Sequence, residues 1–216
     1  MINLVEIQEK IAALNFDDRI YDGIDLTREQ HTFERGKPKK YLELACDLFK
    51  LIEGKTIVEI GCMRIPLLHD LTEMRPECCN DGHSTCFWCS TGAQVYSIDI
   101  DKQAVAVAKE SCKKYRNCKI LRRDGLGFLK KYSGTIDLLY LDAWDVAPGT
   151  NYAENHLLAY LAAKPKLNEI NIISIDDTDI GRGGKGRLLL PVLKADDYTI
   201  LVTGRQTVAI KLGTPA

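Results

Sequence analysis

The stretch Val58-Glu59-Ile60-Gly61-Cys62, "VEIGC", decides how the rest of the chain is read. The β-branched run "TIVEI" at 56–60 predicts a buried strand, and it runs directly into an acid and a glycine. On a parallel α/β sheet a nucleotide cofactor sits where the first strands end, beside a helix N-terminus, and glycine is needed wherever backbone must approach the ligand. The further glycines of such a turn do not follow at once. "MRIPLLHDLTEMRPECCN" intervenes, and only then comes "DGHST" at 81–85. Joining "VEIG" to "DGHST" restores the turn: Glu59-x-Gly61, then Gly82-x-Ser84-Thr85 opening a helix. Residues 62–81 are therefore read as an insertion into a cofactor loop, and a loop of that length is expected to have a function. The plain alternative is that Gly61 only ends a strand and Ser84 only caps a helix.

Outward from this stretch, strands and helices alternate. "KKYLELACDLFKLIEG" before it has helical spacing of Tyr41, Leu44, Ala45, Leu48 and Leu51, ended by Gly54. After it come a short helix in "STCFWCSTG", a strand in "QVYSIDI" and a helix in "KQAVAVAKESCKKY" capped by Asp101. "CKILR", "LGFLKKY", "IDLLYLD", "YAENHLLAYLAA", "INIISID" and "GRLLLPVLKA" continue the alternation, with Pro191 tolerated in the first turn of the last helix. The end differs: "YTILVTG" and "RQTVAIKL" predict an antiparallel hairpin. The expected fold is α/β, a doubly wound and mostly parallel seven-stranded sheet with a C-terminal antiparallel hairpin. Residues 1–36 are expected to form an N-terminal helix and a polar arm or cap, and residues 37–216 the main domain with its inserted loop 62–81.

Composition narrows the function classes. The chain has 216 residues, 45 % hydrophobic and 27 % charged, with a formal net charge of −1. Those are ordinary globular values, and no global charge attracts nucleic acid or an anionic membrane. The apolar runs are strand-length, and "MINLVEIQEKIAAL" carries acids and no basic start, unlike a signal peptide. A cytoplasmic location is expected. The eight cysteines are then expected as reduced thiols. Cys78, Cys79, Cys86 and Cys89, with His69 and His83 nearby, leave a zinc knuckle as an alternative. "DIGRGGKGR" at 179–187 is a glycine-rich basic loop, read either as a flexible connector or as a mobile cover over an anionic group. It lacks the order of a phosphate-binding loop, which excludes an ATPase.

Strand ends supply the candidate site. Asp99 ends the second strand, where a carboxylate can accept hydrogen bonds from ribose hydroxyls. Asp124, followed by Gly125, ends the third strand and could meet an adenine amino group or cap the next helix. Asp142 ends the fourth strand, with Trp144 and Asp145 following, and Asp176 and Asp177 end the fifth. The fourth and fifth strands are neighbours in such a sheet, so the three carboxylates are expected to converge. Close carboxylates repel unless a cation or protons intervene, and a hard oxygen set suits Mg²⁺.

These residues carry a resemblance. Acids at the ends of strands one and two, Asp-Gly after strand three and a terminal hairpin resemble the class I S-adenosylmethionine-dependent methyltransferases over residues 37–212. The resemblance implies Glu59, Gly61 and Gly82 around the methionine part, Ser84 on its carboxylate, Asp99 on the ribose, and Ile100, Asp124 and Gly125 around adenine. Asp142 then closes the cofactor end. "LDAWD" followed by "IDDT" is similar to the metal-dependent O-methyltransferases acting on catechols, sugars and macrolides, which implies Asp142, Asp176 and Asp177 as ligands of Mg²⁺. The catechol enzyme's lysine base is replaced by Asp145. His156 is the other candidate base, with packing on its helix as the plainer role. The expected reaction is O-methylation of a small-molecule hydroxyl, without nucleic acid or membrane, and with a homodimer left open. Two alternatives stand: a metal-independent methyltransferase acting on another nucleophile, and a non-enzymatic zinc or partner-binding module.

Overall fold

Strand formation follows the β-branched runs, and the computed structural model describes residues 4–13, 39–67 and 83–213. The arm at 15–36, most of the inserted loop, and His69, Cys78, Cys79 and Gly82 lie outside the described residues. α1 (Leu4–Ala13) buries Ile7. α2 (Lys39–Leu51) precedes β1 (Thr56–Ile60), and α3 (Ser84–Ser90) follows the inserted loop. Then come β2 (Gln94–Asp99), α4 (Lys102–Ser111), β3 (Cys118–Arg122), α5 (Gly125–Lys131) and β4 (Ile136–Leu141). α6 (Tyr152–Ala163), β5 (Leu167–Ile175), α7 (Leu189–Ala195), β6 (Thr199–Thr203) and β7 (Thr207–Lys211) complete the order. Among the described residues, no helix is long and apolar enough to cross a membrane.

The sheet has seven strands in the order β3-β2-β1-β4-β5-β7-β6. β1 to β5 are parallel; β7 runs antiparallel to β5, and β6 antiparallel to β7. The expected architecture is thus the observed one. β5 starts at Leu167, earlier than the apolar run suggests: Leu167 pairs with Ile136, and an irregularity follows before Ile172 pairs with Leu138.

Side-chain alternation splits the core. Ile57, Val95, Leu138, Tyr140 and Ile172 pack against α2, α3 and α4 on one face. Val58, Ile60, Ile98, Leu139, Leu141 and Ile173 pack against α5, α6 and α7 on the other. β1 and β4 are neighbours although the chain leaves β1 toward β2. Such a reversal of direction opens a crevice at the carboxyl ends of the strands.

Candidate functional site

The crevice is a cleft of about 340 Å³, walled by the ends of β1, β2 and β4 and the start of α5. Gly61 forms its floor with φ 100°, and a Cβ there would lie 2.6 Å from the carbonyl carbon of Asp142. No side chain fits, so the glycine of "VEIGC" is a close-approach position. Gly125 is similar: an added Cβ would meet Ile60 Cγ2 at 2.5 Å.

The acids lining the cleft are already oriented by backbone donors. Asp99 accepts from the amides of Cys62 (2.9 Å) and Asp101 (2.8 Å) through different oxygens. Asp101 caps α4, accepting from Gln103 (2.5 Å) and Ala104 (2.8 Å). Asp124 caps α5 through Gly127 (2.6 Å) while also lining the cleft. Ile100 stands 69 % exposed at the rim. Trp144 takes a left-handed φ of 52° on the opposite wall. Asp145 reaches Arg64 at 3.1 Å across the mouth, both side chains more than half exposed.

Glu59 and Ser84, expected around the methionine part, do not line this cleft. Glu59 lies on the face of β1 turned to α3, fully buried. Its Oε1 accepts from Ser84 Oγ (2.5 Å) and Trp88 Nε1 (3.0 Å), its Oε2 from Thr85 Oγ1 (2.7 Å) and Ser97 Oγ. Four donors fill a carboxylate's lone pairs. Burial still pushes its pKa up to about 7, against the pull of Ser84, Ser97 and Thr85. The signal was present in the sequence: Val58 and Ile60 face one side of a strand, so Glu59 must face the other.

His156 also leaves the cleft. It is fully buried on α6, donates Nδ1–H to the carbonyl of Tyr152 (2.6 Å) and meets the edge of Trp144 at 5.3 Å between ring centres. Burial, then the charge of Lys185, pulls its pKa down to about 3. It stays neutral and packs the back of Trp144.

Asp142, Asp176 and Asp177 converge, with candidate ligand oxygens within 4.8 Å of one another. Two cations that the strand-end reading left out of the site enter the same cluster. Lys185 donates to Asp142 Oδ1 (2.6 Å) and lies 3.0 Å from Asp177 Oδ2. Arg205, from the β6–β7 turn, lies 2.6 Å from Asp177 Oδ1, 3.9 Å from Asp179 and 4.0 Å from Asp176. Asp176 Oδ1 is buried without a hydrogen-bond partner among the described residues. The neighbouring carboxylates push Asp142 and Lys185 the same way, upward. Burial and Asp176 drive Asp142 well above the usual carboxylate range. Lys185 loses to burial but is held a cation by Asp142, Asp177 and Asp176. Asp177 is also pushed up by burial, yet Lys185 and Arg205 outweigh it and leave it below its ordinary value. Asp177 takes φ 50°, a second left-handed residue beside Trp144 at the strand ends, and such outliers cluster at functional sites.

The described cysteines are all free thiols. Cys86 Sγ lies 3.4 Å from Cys112 Sγ, inside the packing of α3 on α4. Among the described residues, Cys86 and Cys89 join no group of three ligand atoms within 4.8 Å.

No family profile matches the sequence, and no curated protein matches it. Solved structures do. A Klebsiella pneumoniae protein assigned as an O-methyltransferase aligns at TM-score 0.59 and 15 % identity, covering 97 % of each chain. The Bacillus cereus O-methyltransferase in complex with SAH aligns at 0.54 and 15 %, covering 97 % of this chain and 90 % of that one. A T. thermophilus 16S rRNA N2 G1207 methyltransferase in complex with AdoMet and guanosine aligns at 0.55 and 14 %, covering 82 % of this chain and 43 % of the other. Across so little identity the likeness is one of architecture, and the chain has the Rossmann-like fold of the class I S-adenosylmethionine-dependent methyltransferases.

Proposed function

We propose that this chain moves the methyl group of S-adenosylmethionine to a hydroxyl of a small molecule, a sugar, polyol or phenol. The cleft carries the reading: backbone approaches it at Gly61, where no side chain fits, and acids and an exposed apolar residue surround it. Asp99 suits the ribose. Each of its oxygens holds one backbone amide and keeps a second lone pair for a sugar hydroxyl. Ile100, without a core to enter, suits an adenine face, and Asp124 with Gly125 suits the far edge of that base. Asp142 and Trp144 line the end where the methyl would leave.

In the transfer, an acceptor oxygen takes the methyl as the sulfur–carbon bond breaks, the sulfonium loses its charge, and the hydroxyl proton must go to a base. In-line positioning of acceptor and methyl supplies much of the rate. Asp145 at the mouth is the carboxylate we assign to the proton, oriented by Arg64. His156 serves Trp144 instead, because a buried neutral ring off the cleft meets no acceptor.

Magnesium is the cation that the sequence suggests for Asp142, Asp176 and Asp177. The residues do not fit it as they stand: Lys185 bridges Asp142 and Asp177, and a divalent ion would have to displace that ammonium. No step of the transfer is assigned to a metal. A ribosomal RNA enzyme shares the fold, but a net charge of −1 and an acidic cleft favour a small acceptor.

Calorimetry with S-adenosylhomocysteine tests the cofactor. Asp99→Ala should bind at least tenfold more weakly, since each charge-assisted hydrogen bond is worth about 1.5–3 kcal/mol. Equal affinity in both proteins would remove Asp99 from the site. Radiolabelled methyl appearing in ribosomal RNA, and in none of a panel of catechols, sugars and polyols, would replace the small-molecule reading.

A further inference from the structure

Three carboxylates at the ends of neighbouring strands call for a cation, and this chain brings one of its own. The Lys185 ammonium donates to Asp142 Oδ1 at 2.6 Å and to the Asp142 carbonyl at 3.2 Å, and pairs with Asp177 Oδ2 at 3.0 Å. Three acceptors match its three hydrogens. Its side chain is 1 % exposed. A lysine is almost never buried so completely unless it is paired.

The backbone is shaped to deliver it. Gly183 and Gly184 are consecutive left-handed residues, at φ 98° and 45°. A Cβ on Gly184 would fall 1.7 Å from the carbonyl oxygen of Asp177, and the Lys185 amide donates to that same oxygen at 3.2 Å. The turn at 184–186 therefore lies directly on the backbone of Asp177 and aims the next side chain inward. Arg205 reaches Asp177 through its other oxygen, Oδ1.

We infer that Lys185 is the resident cation of the Asp142–Asp176–Asp177 cluster: its ammonium takes the place that a divalent metal ion would occupy, and it holds Asp142 in position on the cleft wall. A divalent ion beside the ammonium would set three positive charges among the carboxylates, with Arg205 adding a fourth. One of the two must leave. The ammonium is tethered and already dehydrated, whereas Mg²⁺ gives up its water reluctantly. Lys185 is a positioning residue; it acts on the reaction through Asp142. The inference rests on the methyl-transfer reading only for what Asp142 faces, since cation occupancy can be tested on the protein without cofactor.

Mn²⁺ is the probe, titrated into the full chain by calorimetry and by electron paramagnetic resonance. The wild type should show no saturable binding at or below ~1 mM. Lys185→Met keeps the aliphatic stem without the charge and should gain one site. Its melting temperature should rise by roughly 5–10 °C once metal exceeds the dissociation constant a hundredfold, while that of the wild type stays put. Lys185→Arg should remain blind to metal. Stoichiometric micromolar binding by the wild type overturns the inference, and so does a folded Lys185→Met with no site. If Lys185→Met does not fold, the wild-type titration decides alone. S-adenosylhomocysteine affinity, measured in parallel, separates the two ideas: if that ligand does not bind, the methyl-transfer reading fails while the outcome of the Mn²⁺ titration stands.

Discussion

Two acidic sites, one on β1 and one just past the ends of β4 and β5, handle charge in opposite ways. Glu59 is one carboxylate among neutral donors, and every lone pair is spent inside the fold. Three of those donors come from α3, so the carboxylate ties that helix to β1. The Asp142–Asp176–Asp177 cluster is held by full charges from Lys185 and Arg205, and it is not saturated: Asp176 Oδ1 has no hydrogen-bond partner among the described residues. One of its members, Asp177, is left-handed, and so is Trp144, two residues past Asp142. A saturated acid is a structural tie. An unsaturated, strained cluster whose Asp142 lines the cleft is where chemistry is to be sought.

The sharpest way to break this contrast is to remove a cation. Arg205→Met keeps bulk in the β6–β7 turn but leaves Asp177 without its second cation and Asp176 without its ion pair. Deleting one member of a buried pair costs about 3–5 kcal/mol, and urea unfolding should show a loss of that size. A loss below about 1 kcal/mol would mean that Lys185 alone neutralises the cluster, and the two sites would differ less than their charges suggest.

Glu59→Gln is the matching change on the other side, and its effect should depend on pH. The folded pKa of Glu59, about 7, lies above its ordinary 4.5. The native state therefore holds the proton more tightly than the unfolded chain does. The stability this contributes is complete below pH 4.5 and is lost as pH rises through 7, up to roughly 3 kcal/mol. Glutamine has no proton to lose, so its stability curve should be flatter. The mutant should gain on the wild type between pH 5 and pH 8 in urea unfolding. A parallel pair of curves would show that the four donors keep Glu59 charged throughout.

The same contrast marks what could be read from the sequence. The order of strands and helices was legible because each run of apolar residues reports its own period. The Asp101 cap was legible because its partners lie two and three residues away. The meeting of Asp142 with Asp176 and Asp177 followed from topology, since strands four and five of a doubly wound sheet adjoin. Lys185 and Arg205 did not follow. In the sequence, "GRGGKGR" is a mobile basic loop, and only the left-handed pair Gly183–Gly184 turns Lys185 inward. Arg205 sits in a hairpin turn, a place where charged side chains ordinarily meet solvent. For Glu59 the motif points to the cofactor, while the parity of the strand assigns its side chain to the α3 face.

Asp124 lies between the two cases, and it gives the smallest and most divisive test. Its Oδ2 is spent on the Gly127 amide, as in a structural tie, while the rest of the carboxylate lines the cleft. Asp124→Ala should cost about 1 kcal/mol of stability through the lost cap. Asn is an equally good cap, so Asp124→Asn should unfold within a few tenths of a kcal/mol of the wild type. The amide differs in the cleft. Its one oxygen serves Gly127, and its NH₂ turns a donor toward the place where an adenine amino group would also donate. If Asp124 meets the cofactor, Asn should fold normally and bind S-adenosylhomocysteine more weakly, a separation that calorimetry beside thermal unfolding can read. If Asn binds as well as the wild type, the acid belongs wholly with Glu59, as a carboxylate whose work ends inside the fold.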